Sequence, residues 1–377
     1  MPSSLQDLLA ALVRIDSINP SLVPGAAGEA ELATFIATWL HNHGIEATVD
    51  EAAPGRLSVI ATVRGTGGGR SLLLNAHLDT VGTEHMPLAL DPVVRDGRMY
   101  GRGTYDMKGG LAACLFALLD ARDAHLRGDV ILAAVADEEH ASLGMQSVLK
   151  SVRADAAIVT EPTSLQLCVA HKGFIWHEVT THGRAAHGSR PDLGRDAIAH
   201  MGRVLGRLES LQRELDAREP HPLLGHASVH ASLITGGQEL SSYPERCTLQ
   251  VERRTLPGET RAGAEQEWAE LLGELALDPD FHAEHRITLL REPFGISHKA
   301  EIVQVLREQA SEILGTAPDH IGQTFWMDAA FLAGAGIPTV VFGPHGAGAH
   351  ATEEWVDLES VQHCRAVLSA TLRAFCA

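Results

Sequence analysis

Short apolar runs recur along the first half of the chain. Residues 71–76, 129–135 and 156–160 are predominantly apolar runs rather than alternating ones, which reads as strands covered on both faces. Between them lie segments with helical spacing. One covers 5–14 behind Ser4, a good N-cap, and one covers 29–43, stopped by Gly44. Two more follow, one on Gly109-Gly110 with the apolar run 111–119, and one near 142–151. Residues 45–49 and 57–63 read as further strands. This strand–helix alternation predicts an α/β fold with a mixed, largely parallel sheet, in which sites form at the carboxyl ends of strands.

The pattern changes near 173–180. Residues 174–181 alternate like a strand covered on one face, and a long amphipathic helix follows over 195–215. Strand-like runs at 227–234 and 246–253 come next, then a helix over 261–275. The order βαββα reads as a small α+β unit. A helix over 301–314, a buried strand at 339–342 and a closing helix over 358–374 return to the first pattern. The expected division is 1–176 with 293–377 as one domain, and 177–292 as an insertion. A chain of 377 residues is long for one domain.

Composition narrows the function classes. The net charge is −18, without a basic run, which argues against nucleic acid and anionic membranes as partners. No apolar stretch reaches the ~18 residues of a membrane span. The first residues lack the basic and apolar regions of a signal peptide. Cys114, Cys168, Cys247, Cys364 and Cys376 are scattered, which suits reduced thiols in a cytoplasmic protein. Gly65-Thr-Gly-Gly-Gly69 has no Lys-Ser/Thr after it and reads as a turn rather than a phosphate loop.

The chemistry gathers where strands stop. Gly101-Arg-Gly-Thr-Tyr-Asp-Met-Lys-Gly-Gly110 sets Asp106 on a glycine-bent loop before an apolar helix. The run 71–76 ends in His77-Leu-Asp79, the run 129–135 in Asp137-Glu138-Glu139, and the run 156–160 in Glu161-Pro162. A late loop, Gly346-Ala-Gly-Ala-His350, holds another histidine. Singly, each has an ordinary explanation: a helix cap, a solvated turn, a strand end. Together, His77, His350, Asp106, Glu139 and Glu161 offer two imidazoles and three carboxylates, a set suited to divalent ions of the zinc kind.

These motifs, with Glu161-Pro-Thr163 and Ala349-His350, resemble the dinuclear zinc amidohydrolases and exopeptidases. That family includes acetylornithine deacetylase, succinyl-diaminopimelate desuccinylase, aminoacylase-1 and carboxypeptidase G. The resemblance implies a zinc-exopeptidase-like catalytic domain and an inserted ferredoxin-like lid and dimerisation domain. It implies two divalent ions, zinc foremost, with cobalt or manganese as alternatives. His77 and Glu161 would hold one ion, His350 and Glu139 the other, with Asp106 bridging. Asp79 would orient His77 through its carboxylate, and the Asp106–Met107 peptide would be cis. Glu138 would be the general base. In an extended backbone adjacent side chains point oppositely, so Glu139 can take a metal while Glu138 faces the water.

In the insertion, Gly183-Arg-Ala-Ala-His187-Gly-Ser-Arg-Pro191 resembles the motif whose histidine stabilises the oxyanion from the partner subunit of a homodimer. Glu252-Arg-Arg254-Thr-Leu-Pro257-Gly258 resembles the run whose arginine grips the substrate carboxylate. Two departures stand out. Glu252 replaces the usual Asp, and Ser241-Ser242-Tyr243-Pro244 stands where many members have Asn-x-x-Pro. Phe325 and Trp326, before the last buried strand, read as pocket lining or core. The expected activity is hydrolysis of the amide of an N-acyl-amino acid, a small-molecule substrate. The alternative is a dipeptidase or carboxypeptidase with the same centre. A non-catalytic binding protein has no use for a base beside a metal-binding glutamate.

Overall fold

The computed structural model describes residues 2–377, which divide into two compact units. The first holds 2–169, 296–321 and 327–377; the second holds 170–295 and 322–326.

In the first unit, Leu72–His77 lies at the centre of the sheet, parallel to Val130–Val135 on one side and Ala156–Val159 on the other. Thr339–Val341 continues the parallel set beyond Ala156–Val159. Antiparallel strands flank it: Arg56–Val63 beside Val130–Val135, then Ala47–Ala53. Leu72–His77 and Val130–Val135 are buried at every position, in keeping with their largely apolar sequence. Helix Gly109–Ala124 supplies Leu111, Leu115 and Leu118 to the core that Leu72, Leu74 and Leu132 form, and closing helix Leu358–Phe375 adds Val367, Leu368 and Leu372.

Four short antiparallel strands make a small sheet in the order Gly346–Ala347, Trp355–Asp357, Arg98–Tyr100, Val93–Arg95. It pairs two segments far apart in sequence. Asp106 follows one of its strands, and His350 lies between two of them. Helix Leu5–Arg14, capped by Ser4 as expected, ends against this region: Lys108 Nζ donates to the carbonyls of Leu12 and Ile15, each at 3.0 Å. A cation at the carbonyl end of a helix is favourably placed.

The second unit is a four-stranded antiparallel sheet in the order Ser228–Gly236, Arg246–Thr255, Gly173–His182, His282–Arg291. Helices Ala197–Asp216 and Arg261–Leu275 cover one face, packing Met201, Val204, Leu208 and Trp268 on Val179, Leu249 and Val251. The element order is βαββαβ, ferredoxin-like, with one strand more than the alternation pattern supplied. That strand, His282–Arg291, is rich in charged and polar residues, half-buried at every second position up to Thr288 and at each of its last three.

Candidate metal centre

Glycines place Asp106. Gly103 has φ +77°, and a Cβ there would come within 2.7 Å of Thr80 Cγ2. Gly110 lets the following helix touch the end of the neighbouring strand, since a Cβ would lie 2.2 Å from the Thr160 carbonyl. The Asp106–Met107 peptide is cis. Asp106 does not cap the helix. Its carboxylate stands between two histidines, with Oδ1 3.1 Å from His77 Nε2 and Oδ2 3.5 Å from His350 Nε2.

The other acids arrange themselves about this axis. Glu161 Oε1 lies 3.6 Å from His77 Nε2, and Glu139 Oε2 lies 3.0 Å from His350 Nε2. Donor atoms of His77, Asp106 and Glu139 fall within 4.8 Å of one another, as do those of His77, Glu138 and Glu161. All five expected ligands and Glu138 thus meet in one cluster. His77 and Glu161 are buried, whereas His350 is exposed on its loop at φ +61°.

The electrostatics are those of crowded acids. Withdrawal from water, and then Glu161, push the Glu138 carboxyl well above the ordinary range. Burial, then Asp106 and Glu139, do the same to Glu161 against the pull of His77. Burial and Asp106 also raise Glu139. Asp106 goes the other way: burial opposes its charge, but bonds from His350 and His77 win and lower its pKa. Asp106 and Glu139 hold the His350 imidazolium up to about 10. Burial works against a charged His77, yet Glu161, Asp106 and Asp79 raise it well above its usual value. Four carboxylates around two imidazoles call for added positive charge. Oxygen and imidazole donors without sulfur fit divalent ions of the zinc kind.

Two local expectations need correcting. The atom of Asp79 that takes the His77 Nδ1 hydrogen bond is its main-chain oxygen, at 2.9 Å; the carboxylate is 3.7 Å away. That carboxylate instead accepts the N–H groups of Glu138 and Glu139, each at 3.1 Å. Nor is the Glu138–Glu139 segment extended. It forms a turn shortly after the strand; Glu138 groups there with His77 and Glu161, and Glu139 with His77 and Asp106.

Glu354 belongs to none of the motifs but holds the site together. Fully buried, its Oε1 accepts the main-chain N–H groups of Tyr105 at 2.9 Å and Asp106 at 3.0 Å. Its Oε2 accepts Gly103 N–H at 3.0 Å and Arg102 Nη1 at 2.7 Å. Arg102 also donates to the Ala351 carbonyl at 2.8 Å. Glu354 therefore ties the Asp106 turn to the His350 loop. The signal was thin, an acid four residues after His350, and nothing in the sequence marks it as buried.

The second unit contains His187 and Arg254. His187 is exposed, on a loop held by a bridge to Ser242, and its Nδ1 lies 2.8 Å from Ser189 Oγ. Arg254 is half-buried on the helix-free face of the sheet. Its Nε donates to Glu252 Oε1 at 2.6 Å, and its guanidinium lies 5.1 Å from the Phe174 ring centre. Trp326 donates to the Glu292 carbonyl at 3.1 Å, and Phe325 is exposed.

Residues 73–374 match peptidase family M20/M25/M40. The chain is 32% identical to an acetylornithine deacetylase of Myxococcus xanthus, over 99% of this chain and 98% of that one. Aminopeptidase PepT from Bacillus cereus ATCC 10987 superposes with a TM-score of 0.81 at 19% identity, covering 99% of this chain and 98% of its own. The Bacillus subtilis YXEP protein, a dinuclear metal binding peptidase from the M20 family, gives 0.74 at 17% identity over 98% and 97%. At such identities the two structures speak for the fold alone.

Proposed function

The chain belongs to peptidase family M20/M25/M40, and from that premise we propose that it hydrolyses the amide bond of an N-acyl-amino acid, as an acetylornithine deacetylase does. It is a metal-dependent hydrolase of amide bonds. The observation that carries the reading is Asp106, with one oxygen turned to His77 and the other to His350. We assign His77 and Glu161 to one divalent ion, His350 and Glu139 to a second, and Asp106 to both. Zinc is the metal first in line, with cobalt and manganese as alternatives. When bound, the ions supply Lewis acidity and a more acidic water. Glu138 takes the proton of the attacking water and passes it to the departing amine. His187 stabilises the oxyanion, and the Arg254 fork grips the substrate carboxylate. Residues 1–176 and 293–377 form the catalytic part, with 177–292 as the lid.

Full-length similarity to deacetylases favours deacylation over peptide cleavage, whose support is likeness of fold. A panel of N-acetyl, N-succinyl and longer N-acyl amino acids beside dipeptides, assayed with zinc and with cobalt, decides it. Turnover of N-acyl-amino acids above dipeptides is expected; dipeptides alone as substrates would overturn the deacylase assignment. The protein acts as a homodimer joined through the lids, with His187 serving the neighbouring site. Glu138→Ala and His187→Ala chains, each inactive, should regain activity when re-assembled together, and no recovery after demonstrated exchange rules the trans role out. All five cysteines are unpaired, which supports a cytoplasmic location; among the described residues no helix is long and apolar enough to cross a membrane.

A further inference from the structure

The turn that presents Glu138 and Glu139 begins at Asp137, which is fully buried and has φ +71°. A residue with a side chain stays in that left-handed region only where its surroundings hold it. Asp137 Oδ1 accepts Arg56 Nη2 at 2.7 Å and Asn19 Nδ2 at 3.0 Å, and its main-chain N–H donates to Glu29 Oε1 at 3.2 Å. Arg56 is held in turn by both oxygens of Glu29, through Nε at 2.9 Å and Nη2 at 2.6 Å. Asn19 reaches the other way, donating to Asp79 Oδ2 at 2.8 Å. Asp79 then receives the N–H groups of Glu138 and Glu139. One unbroken set of buried bonds thus runs from Glu29 to the main chain of both site glutamates. Arg56 retains only 7% of its exposure.

A buried guanidinium between two carboxylates is a poor way to gain stability, because apolar side chains of the same volume commonly do as well. It is a good way to fix a direction, since a planar fork admits few geometries. We propose that Arg56 and Asn19 are positioning residues for the reaction: through Asp137 and Asp79 they fix the turn, and so aim Glu138 at the reacting water and Glu139 at its ion. Neither touches the reacting atoms. The proposal rests on the assignment of Glu138 and Glu139 made above.

The test is Arg56→Lys, which keeps the charge and loses the fork. It is read by kcat and KM on the best N-acyl-amino acid of the panel, by zinc affinity from chelator competition, and by melting temperature. Asn19→Ala, which leaves the Glu29–Arg56–Asp137 contacts in place, carries the same test if Arg56→Lys does not fold. Expected are a loss of roughly tenfold or more in kcat with KM little changed, and a weakening of zinc affinity of about tenfold, the low end for groups that orient metal ligands. A lower melting temperature with kcat and zinc affinity unaltered would show a purely structural network and overturn the proposal. Glu138→Ala, run alongside, separates the two ideas. Wild-type turnover in that variant defeats the base assignment. An inactive Glu138→Ala beside an unaffected Arg56→Lys defeats only the positioning.

Discussion

The sheets of the two units dispose of their side chains differently. Leu72–His77 and Val130–Val135 are buried along their whole length, so polar chemistry has room only where they stop. There stand His77 and the Asp137–Glu139 turn, and Glu161 follows Ala156–Val159 in the same way. In the second unit, Gly173–His182 and Arg246–Thr255 bury every second residue under the helices and leave the alternate row clear of them. Phe174, Trp176, Glu252 and Arg254 belong to that row. A doubly covered sheet makes a point site, fixed by main-chain amides such as those that Glu354 and Asp79 receive. A singly covered one makes a surface tuned by side-chain pairs: Glu252 accepts both Trp176 Nε1, at 3.0 Å, and Arg254 Nε. Substitutions in the first should act nearly all-or-none, and those in the second by degrees.

The largest effect belongs to the point site. Glu138→Ala should lower kcat by at least about a hundredfold, the low end for general acid–base catalysis, with zinc content and melting temperature retained. Turnover near the wild-type rate would remove Glu138 from its role and blur the contrast between the regions. A graded effect is expected from Arg254→Lys. Keeping the charge while losing the two-pronged grip should raise KM roughly tenfold, about 1.4 kcal/mol, with kcat little altered. Substrate with its carboxylate amidated should be indifferent to the same change. Equal sensitivity of both substrates would separate Arg254 from carboxylate recognition.

The smallest effect concerns stability and sharpens the view of the second unit. His177 Nδ1 lies 2.8 Å from His285 Nε2, under the ring of Trp268. Burial, then His285, lower the His177 pKa to about 3, and burial lowers that of His285 to about 4. The unfolded chain binds protons at the ordinary imidazole pKa, about 6.5, that the folded rings refuse. Their neutral state is therefore free of penalty above that pH, and stability falls as the pH drops below it toward the folded values. The melting temperature should fall by several degrees between about pH 7 and about pH 5. His285→Gln should shrink that drop; an unchanged drop would place its origin elsewhere.

The same contrast explains what could be read from the chain. Apolar runs ending in His77, Glu139 and Glu161 announced both the buried strands and their chemical ends. The helix over 5–14 was visible through Ser4, and that over 195–215 through its amphipathic spacing. Strands of two or three residues carry no period, so the small sheet that brings the Asp106 turn to the His350 loop went unread. His282–Arg291 hid behind its polar residues. Glu354, Glu29 and Arg56 look like surface charges in sequence. Only the meeting of donors from distant segments makes their burial tolerable, and that meeting is a property of the fold.

Two ions held by one cluster and used in hydrolysis are the feature on which the proposed chemistry depends. Protein stripped with a chelator should be titrated with zinc, measuring bound metal per chain and hydrolysis of an N-acetyl-amino acid on the same samples. The expected result is binding that levels off at two ions per chain, with activity absent at the start and restored as the ions bind. Stable binding of no zinc, or full hydrolysis by the metal-free protein, would contradict it.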